Sequence, residues 1–405
     1  MADDPSTRIA RLIVCDADGA PLGTTPDFAV ASPYWGHVEP LVAAARDDLG
    51  LSIVVLRLLT VERGAGGEPD RTTYLAEHSG LDPALTPVSP SLLDEALRPR
   101  RFRMPWARPG GPAAHFAWAE EQLAARGIRR TAPPIQVRTW NLSSIWRVPT
   151  TAGTVWLKAV PPFFAHEGRV LERVAGYAVP QLLGHGDGVV LLADVAGDDL
   201  YAPAADRALA MVDALISIQR GPGADVDALR GLGLPDWRLP SLAAPAHHVL
   251  RLRARDLDAQ ERRSLEKLID GLDGRLRDLA ACGIPDTLVH GDFHPGNTRG
   301  TAVDLTILDW GDSGVGHPLL DMAAFTERMP PAQRAAVEAH WIQSWEREVP
   351  GSDAGHAASL VSPVGALRQA VIYRHFLDHI EPDERIYHET DDLLWLRRTA
   401  ALLPG

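Results

Sequence analysis

The segment Leu288 to Asp312, LVHGDFHPGNTRGTAVDLTILDWGD, constrains this chain more than any other: a polar loop lies between two apolar runs, and the second run ends in a carboxylate. Leu288 and Val289 lead into a turn carrying His290, Asp292 and His294, with Asn297 next, in the spacing H-x-D-x-x-x-x-N. The mostly apolar run Leu305 to Leu308 then predicts a short strand that delivers Asp309 beside that loop. A lone Asp in a Gly- and Pro-rich loop is usually a turn or capping residue. Three such oxygen-bearing side chains at these spacings reverse that expectation.

Phosphoryl transfer asks little covalent work of a protein. It needs a carboxylate to orient a hydroxyl, oxygen ligands for magnesium and positive charge on a polyphosphate. Asp292 can accept the proton of a hydroxyl, Asn297 offers an amide oxygen to a metal, and Asp309 is the principal metal ligand expected. His290 is expected to brace the loop through backbone hydrogen bonds, and His294 has no assigned role. Upstream, Lys158 ends the strand-like run TVWL, and Glu167 starts the next helix as its expected ion-pair partner. Glu172 is the competing partner, deeper in the same helix. Lys158 and Lys267 are the only lysines of the chain, which sets Lys158 apart from an ordinary surface cation.

Around this segment the chain divides into four stretches. Residues 1–97 read as a small α/β domain, with a strand at Ile9 to Cys15, a turn at Asp18-Gly19, a helix from Val38 to Leu49 stopped by Gly50, and a buried strand from Leu51 to Leu59. Residues 98–112, RPRRFRMPWARPGGP, read as a solvated linker. Residues 113–195 form a sheet-bearing lobe. It has a helix from about Ala113 to Arg126, a hairpin of Ser144 to Val148 and Thr154 to Val160, a helix from Phe164 to Ala175 and the short strand VVLLA. Residues 196–405 are mostly helical, with Leu209, Val212, Leu215 and Ile216 on one face of the first helix.

Composition removes several function classes. The chain has 405 residues, 45% of them hydrophobic, enough for two or three domains rather than one. A net charge of −13 argues against nucleic acid, whose phosphates call for basic surface. Cys15 and Cys282 form neither a CxxC nor a Cys/His cluster, so no disulfide framework or zinc site is expected and a reducing cytoplasm fits. The segment Met1 to Thr7 is polar and acidic, and no run reaches membrane-span length, so a soluble protein without membrane partners is expected.

HGDFHPGN (His290 to Asn297) followed by ILDWGD (Ile307 to Asp312) resembles the aminoglycoside phosphotransferase family, over about Trp140 to Ala400. The resemblance implies an α+β, bilobal protein-kinase-like fold with a small β-rich lobe and a larger helical one. It also implies ATP, with GTP as the alternative donor, and Mg2+. By it Asp292 takes the catalytic position, Asn297 and Asp309 hold magnesium, and Lys158 paired with Glu167 holds the α- and β-phosphates. Backbone groups near Ala193 and Val195 would take adenine, and Asp321, after His317-Pro318, would support the catalytic loop together with His290. One departure is plain: TWNLSSIWRV (Thr139 to Val148) has no glycine where many kinases carry a Gly-rich hairpin, so Ser143 and Ser144 are expected to supply phosphate donors.

The N-terminal domain faintly resembles a degenerate Nudix domain through Arg46-Asp47-Asp48-Leu49-Gly50-Leu51. Ala43 and Ala44 occupy the Arg-Glu positions of that alignment, so diphosphate hydrolysis is not expected there. Packing on the small lobe, or a homodimer interface, suits it better. The leading expectation is a kinase acting on a hydroxyl of a small molecule, an antibiotic of the aminoglycoside type, in a resistance role, or an amino sugar. A catalytically silent nucleotide-binding pseudokinase or interaction protein is the alternative, disfavoured because Asp292, Asn297, Asp309 and Lys158 are all present. No activation segment that could dock a polypeptide follows Asp309, which argues against a protein substrate. The acidic stretches Asp378 to Glu384 and Glu389 to Asp392 read either as attraction for a polycation or as a solvated helix face.

Overall fold

The computed structural model describes residues 7–65, 68–78, 85–238 and 240–403, which group into two compact units. Most of the acidic N-terminal segment, residues 1–6, lies outside the described residues. The first unit comprises Met1–Ala165, Leu183–Asp194 and His379–Tyr387, and the second His166–Leu182, Val195–Asp378 and His388–Gly405.

The first unit opens with a sheet of β1 (Arg8–Cys15), β2 (Pro21–Thr24), β3 (Phe28–Val30), β4 (Ile53–Glu62) and β5 (Arg71–His78), in the order β2-β1-β5-β4 with β3 also on β1. β1 runs parallel to β5 and β4 antiparallel to it. The RIARLIVC strand is apolar at successive positions because both faces are covered. Leu12 and Val14 meet Leu41 and Ala45 of α1 (Glu39–Leu49), while Ile13 and Cys15 lie with Ala96 of α2 (Pro90–Leu97). α1 stops at Gly50, whose φ of 67° suits the left-handed cap. The expected strand and helix are therefore present, whereas β5, RTTYLAEH, has no counterpart in the sequence reading.

A second, antiparallel sheet follows: β6 (Ile135–Trp140), β7 (Ser143–Thr150), β8 (Gly153–Ala159), β9 (Leu182–Gly186) and β10 (Val189–Ala193), ordered β6-β7-β8-β10-β9. Helix α3 (Gly111–Ala124) covers it, placing Ala119 and Leu123 against Trp146, Val148, Leu157 and Leu191. The two sheets are joined within this unit. β4 bulges between Val55 and Arg57, and there the Val55 N–H donates to Gln136 Oε1 at 2.9 Å while Gln136 Nε2 donates to Val55 O at 2.7 Å. Gly36 to Val38 pair along β6, with Val38 N–H to Val137 O at 3.1 Å and Thr139 N–H to Gly36 O at 3.0 Å.

The stretch 98–112 is not the solvated connector expected. Met104 and Trp106 are buried, with Trp106 Nε1 donating to Trp140 O at 3.3 Å, and Arg103 is buried because Glu381 neutralises it. The basic run reads as polar, yet Arg103 has its charged partner remote in sequence, while Arg98 and Arg100 pair locally with Glu95.

The second unit is mainly helical. It contains α4 (Glu167–Arg173), α5 (Ala205–Arg220), α6 (Val226–Gly231), α7 (Pro240–Arg253), α8 (Ala259–Asp270), α9 (Leu272–Ala281), α10 (Leu320–Arg328), α11 (Pro331–Glu348), α12 (Ala354–His379) and α13 (Asp391–Ala401). Five short strands interrupt the helices: β11 (Asp198–Asp199), β12 (Thr287–Val289), β13 (Thr298–Gly300), β14 (Leu305–Ile307) and β15 (Gly314–Gly316). β12 pairs with β15, and β13 lies between β11 and β14. α5 presents Val212, Leu215 and Ile216 to the core, as its periodicity predicts. Among the described residues no helix is long and apolar enough to cross a membrane.

Candidate active site

β12 delivers the loop that follows it. Thr287–Val289 is buried and paired with Gly316–Gly314, so the chain enters His290 from a fixed direction. Gly291 adopts φ 95°, and a Cβ there would sit 2.1 Å from the Asp312 carbonyl oxygen, so the turn admits only glycine.

Asp321, at the start of α10, holds this turn from below. Its carboxylate accepts the His290 N–H and the Gly291 N–H, both at 2.8 Å. Burial raises this carboxyl, opposed by the charge of Arg368 and by the two N–H donors, which favour its ionised form. Arg368, on α12 and itself fully buried, donates to Gly291 O at 3.1 Å, and its neighbour Gln369 donates to the same oxygen at 2.8 Å. The Arg368 guanidinium stacks over Trp237 at 4.8 Å, and burial pulls its pKa down against the charges of Asp321, Asp312 and Asp292. Neither Arg368 nor Gln369 was singled out from sequence. The available signal is an Arg-Gln pair inside the otherwise apolar helical run ALRQAVIY, because a charge buried among apolar residues needs a partner.

His290 braces the loop as expected. Its Nε2–H donates to Leu308 O at 2.9 Å and its Nδ1 accepts the Asp292 N–H at 3.4 Å, which together assign the neutral tautomer. Burial lowers its pKa in keeping with that state.

Asn297 closes the loop. Its Nδ2 donates to the Asp292 backbone oxygen at 3.0 Å and to the Asp292 carboxylate at 3.3 Å, so its Oδ1 is directed away from that carboxylate. The Asn297 backbone oxygen accepts the Leu308 N–H at 2.8 Å, tying the loop to the residue before Asp309. Asp309 itself has φ 61° and ψ 66°, and among the described residues it is the one non-glycine with positive φ. Such a conformation costs about 1–3 kcal/mol and persists where neighbours over-determine it. Here Trp310 Nε1 bonds Ile307 O at 3.0 Å and Ser313 Oγ bonds Trp310 O at 2.6 Å. Asn297 Oδ1 and the Asp309 carboxylate are hard oxygen donors, the kind of ligand that could hold magnesium. Among the described residues no group of three or more His, Cys, Asp or Glu gathers into a self-contained metal cage.

His294 gains a partner the sequence did not suggest. Its Nδ1 accepts the Gly296 N–H at 3.0 Å, and its Nε2 lies 3.5 Å from the Asp292 carboxylate and 3.2 Å from Arg328 Nη1. Burial alone would raise the Asp292 carboxyl. The His294 hydrogen bond and the charges of His294 and Arg328 outweigh it and hold the carboxyl below its ordinary value. Asp292 therefore stays ionised, as a proton acceptor must.

The remaining predicted residues lie on several elements. In the first unit, Lys158 sits on β8, half-buried, between Ile145 of β7 and Val190 of β10. Ser143 Oγ accepts Trp140 Nε1 at 2.8 Å and Ser144 Oγ accepts Trp146 Nε1 at 3.0 Å, so both hydroxyls are engaged inside the hairpin. At its turn the Asn141 side chain is fully buried and neither amide atom has a hydrogen-bond partner. Ala193 ends β10, and Asp194 turns to accept Trp156 Nε1 at 2.6 Å. In the second unit, the Val195 carbonyl accepts Arg299 Nε at 2.8 Å, which leaves its N–H for other partners. Glu167 is buried in the first turn of α4, next to His166, whose imidazole burial pushes down to about 4.

The acidic stretches Asp378 to Glu384 and Glu389 to Asp392 are in part interior rather than wholly a solvated face. Asp392 is fully buried and accepts Arg253 Nη2 at 2.6 Å, and Glu381 and Glu384 are buried as well. Asp392 neutralises Arg253 and Glu381 neutralises Arg103, so these two acids are not part of a solvated face.

Comparison with known proteins accords with this geometry. The model of the phosphotransferase enzyme family matches residues 135–356, more than half of the chain. No curated protein sequence matches. Among solved structures, a choline/ethanolamine kinase family protein from Mesorhizobium loti has 18% identity and a TM-score of 0.50, with 72% of this chain and 95% of that one covered. The choline kinase from Cryptosporidium parvum has 9% identity and a TM-score of 0.50 over 72% and 96%. A macrolide 2'-phosphotransferase from Brachybacterium faecium has 16% identity and a TM-score of 0.48 over 68% and 97%. At these identities the likeness to solved structures concerns the fold alone. With Asp292, Asn297 and Asp309 gathered by one loop and its returning strand, and with the family match spanning them, the chain belongs to the phosphotransferase enzyme family and is a small-molecule kinase of protein-kinase-like fold.

Proposed function

We propose that this protein transfers the γ-phosphoryl group of ATP, with magnesium, to a hydroxyl of a small molecule. The observation that carries the reading is the Asp292–Asn297 pair: one amide fixes the carboxylate and turns its own oxygen toward the place where a metal would be held with Asp309. In the step, the bond from the γ-phosphorus to the bridging oxygen breaks and a bond from the acceptor oxygen to phosphorus forms. The acceptor proton passes to the Asp292 carboxylate, and ADP leaves. Bound magnesium would neutralise charge on the phosphates. Lys158, with Glu167 orienting it, would add positive charge there, and the backbone near Ala193 and Val195 would receive adenine.

For the acceptor, an antibiotic of the aminoglycoside or macrolide type, an amino sugar or an amino alcohol such as choline are the classes to test, following the family and the named neighbours. An antibiotic acceptor would give the protein a resistance role, and the two free cysteines fit a cytoplasmic location. The experiment is ADP release with Mg2+ across those acceptors, with ATP and GTP as alternative donors and nucleotide binding measured separately. Turnover with one acceptor class supports the reading. Nucleotide binding without turnover on any acceptor supports the silent, binding-only alternative.

A further inference from the structure

Between β6 and β7 the chain turns over two residues, Asn141 and Leu142, with Trp140 paired to Ser143. How the backbone N–H groups of such a turn are aimed depends on how the strands beneath it are held. Strand β6 is held by the N-terminal sheet, and both belong to the first unit. Gln136, 3% exposed, exchanges two hydrogen bonds with Val55 of β4, and its Nε2 also donates to Thr139 Oγ1 at 2.7 Å. Thr139 Oγ1 lies 3.3 Å from Ser144 Oγ, which accepts Trp146 Nε1. A buried chain of polar groups thus runs from β4 through β6 into β7, and a satisfied buried network of this kind rigidifies what it joins.

A second support comes from the loop between β3 and α1. Arg8, at the start of β1 and 1% exposed, donates to the carbonyls of Ser32, Tyr34 and His37 at 2.6, 3.0 and 3.1 Å. The loop so fixed pairs along β6 through Gly36 and Val38. Gly36 passes so close that a Cβ on it would lie 3.2 Å from the Trp140 Cβ. Trp140, the last residue of β6, also receives Trp106 Nε1 on its carbonyl. With no glycine from Thr139 to Val148, the hairpin has little backbone freedom of its own, and these contacts restrict it further.

We propose that the N-terminal α/β domain is a splint for the β6–β7 hairpin, presetting its turn as a rigid cradle for the phosphates of a nucleotide, where many kinases carry a glycine-rich hairpin. Arg8, Gln136 and Thr139 are positioning residues; none touches the nucleotide. Ordering a loop at the moment of binding costs conformational entropy, and a loop ordered beforehand avoids that cost. The inference rests on the phosphotransfer reading for its ligand, but not for the rigidity of the hairpin.

The test compares four full-length proteins by amide hydrogen exchange and by equilibrium binding of ATP with Mg2+. They are wild type, Gln136→Leu, Trp106→Phe and a control, Ile13→Val, which trims the N-terminal core on β1, two strands away from β4. Gln136→Leu should speed exchange from Thr139 to Ser144 and raise the Kd for ATP about tenfold. With an acceptor that is turned over, its nucleotide KM should rise while kcat changes less. Trp106→Phe, which keeps a ring but loses the bond to Trp140 O, should show both effects to a lesser degree. It decides alone should Gln136→Leu not fold. Ile13→Val should match wild type in both readouts. Unchanged exchange in the hairpin overturns the splint, and so does faster exchange there with an unchanged Kd. Equal effects in Ile13→Val overturn it too, since they would reflect general loosening of the domain. If the wild type binds neither ATP nor GTP, the phosphotransfer reading fails, while exchange in the hairpin still decides whether the domain holds it rigid.

Discussion

Asn297 donates its side-chain amide to both the backbone oxygen and the carboxylate of Asp292, at 3.0 and 3.3 Å, so that in the proposed reaction one residue would orient the proton acceptor and offer a metal ligand. Removing it separates the two effects. Asn297→Ala should lower turnover about 10–100-fold, the usual cost of a lost metal-site partner, and should raise the Mg2+ concentration needed for half-maximal rate. A variant with wild-type magnesium dependence would place the metal elsewhere.

His294 lies 3.5 Å from the Asp292 carboxylate and helps hold that carboxyl low against its burial. Without the imidazole the carboxyl titrates higher. In His294→Ala the acid limb of the kcat/KM profile should therefore move to higher pH, since a base is lost when it protonates. An unmoved limb would show that Arg328 suffices.

Arg368 is the cation behind the loop, fully buried and facing Asp292, Asp312 and Asp321. Arg368→Met keeps much of the bulk but strands those carboxylates. Breaking a buried pair by removing one member costs about 3–5 kcal/mol. Chemical denaturation should show a loss of that order, with the midpoint moved and the slope unchanged.

How far the sequence discloses this site depends on how local the contacts are. HGDFHPGN and ILDWGD place Asp292, Asn297 and Asp309 on a loop and a returning strand, because their pairing spans few residues and the apolar run between them has one plausible fold. Arg368 and Gln369 stayed hidden because they reach Gly291 across 77 and 78 residues of chain. β5 went unread for the same reason: its parallel partner β1 lies more than 60 residues away, and RTTYLAEH carries little alternation of its own. The basic connector and the acidic stretches misled as a pair. Each looks solvated when read alone, and only the fold reveals that Arg103 and Glu381 neutralise each other.

Stability should depend on pH through groups buried in their neutral forms. Glu384, beside Glu381, Asp383, Arg57 and Arg103, is pushed up to about 8 by burial. Between its ordinary value of 4.5 and about 8 the folded chain holds a proton that the unfolded chain releases, so its contribution to stability falls as pH rises through that window. Glu384→Gln removes this slope, and its stability relative to wild type should climb from pH 4.5 to 8. On the acid side, His317 is pushed down to about 3 and His166 to about 4 by burial. Both withdraw stability as pH falls below their ordinary value of 6.5, because the unfolded chain then binds protons that the folded one refuses. Urea titrations across pH 4 to 9 check both windows, and a flat difference between Glu384→Gln and wild type would contradict the first.

The central claim is that Asp292 takes the proton of the acceptor hydroxyl, and the most direct measurement is kcat for Asp292→Asn on whichever acceptor the wild type phosphorylates. The substitution keeps size and hydrogen-bonding capacity but removes the base. The expected result is a fall in kcat of about 10²–10⁴-fold with nucleotide affinity unchanged. Turnover retained at the wild-type rate would contradict it.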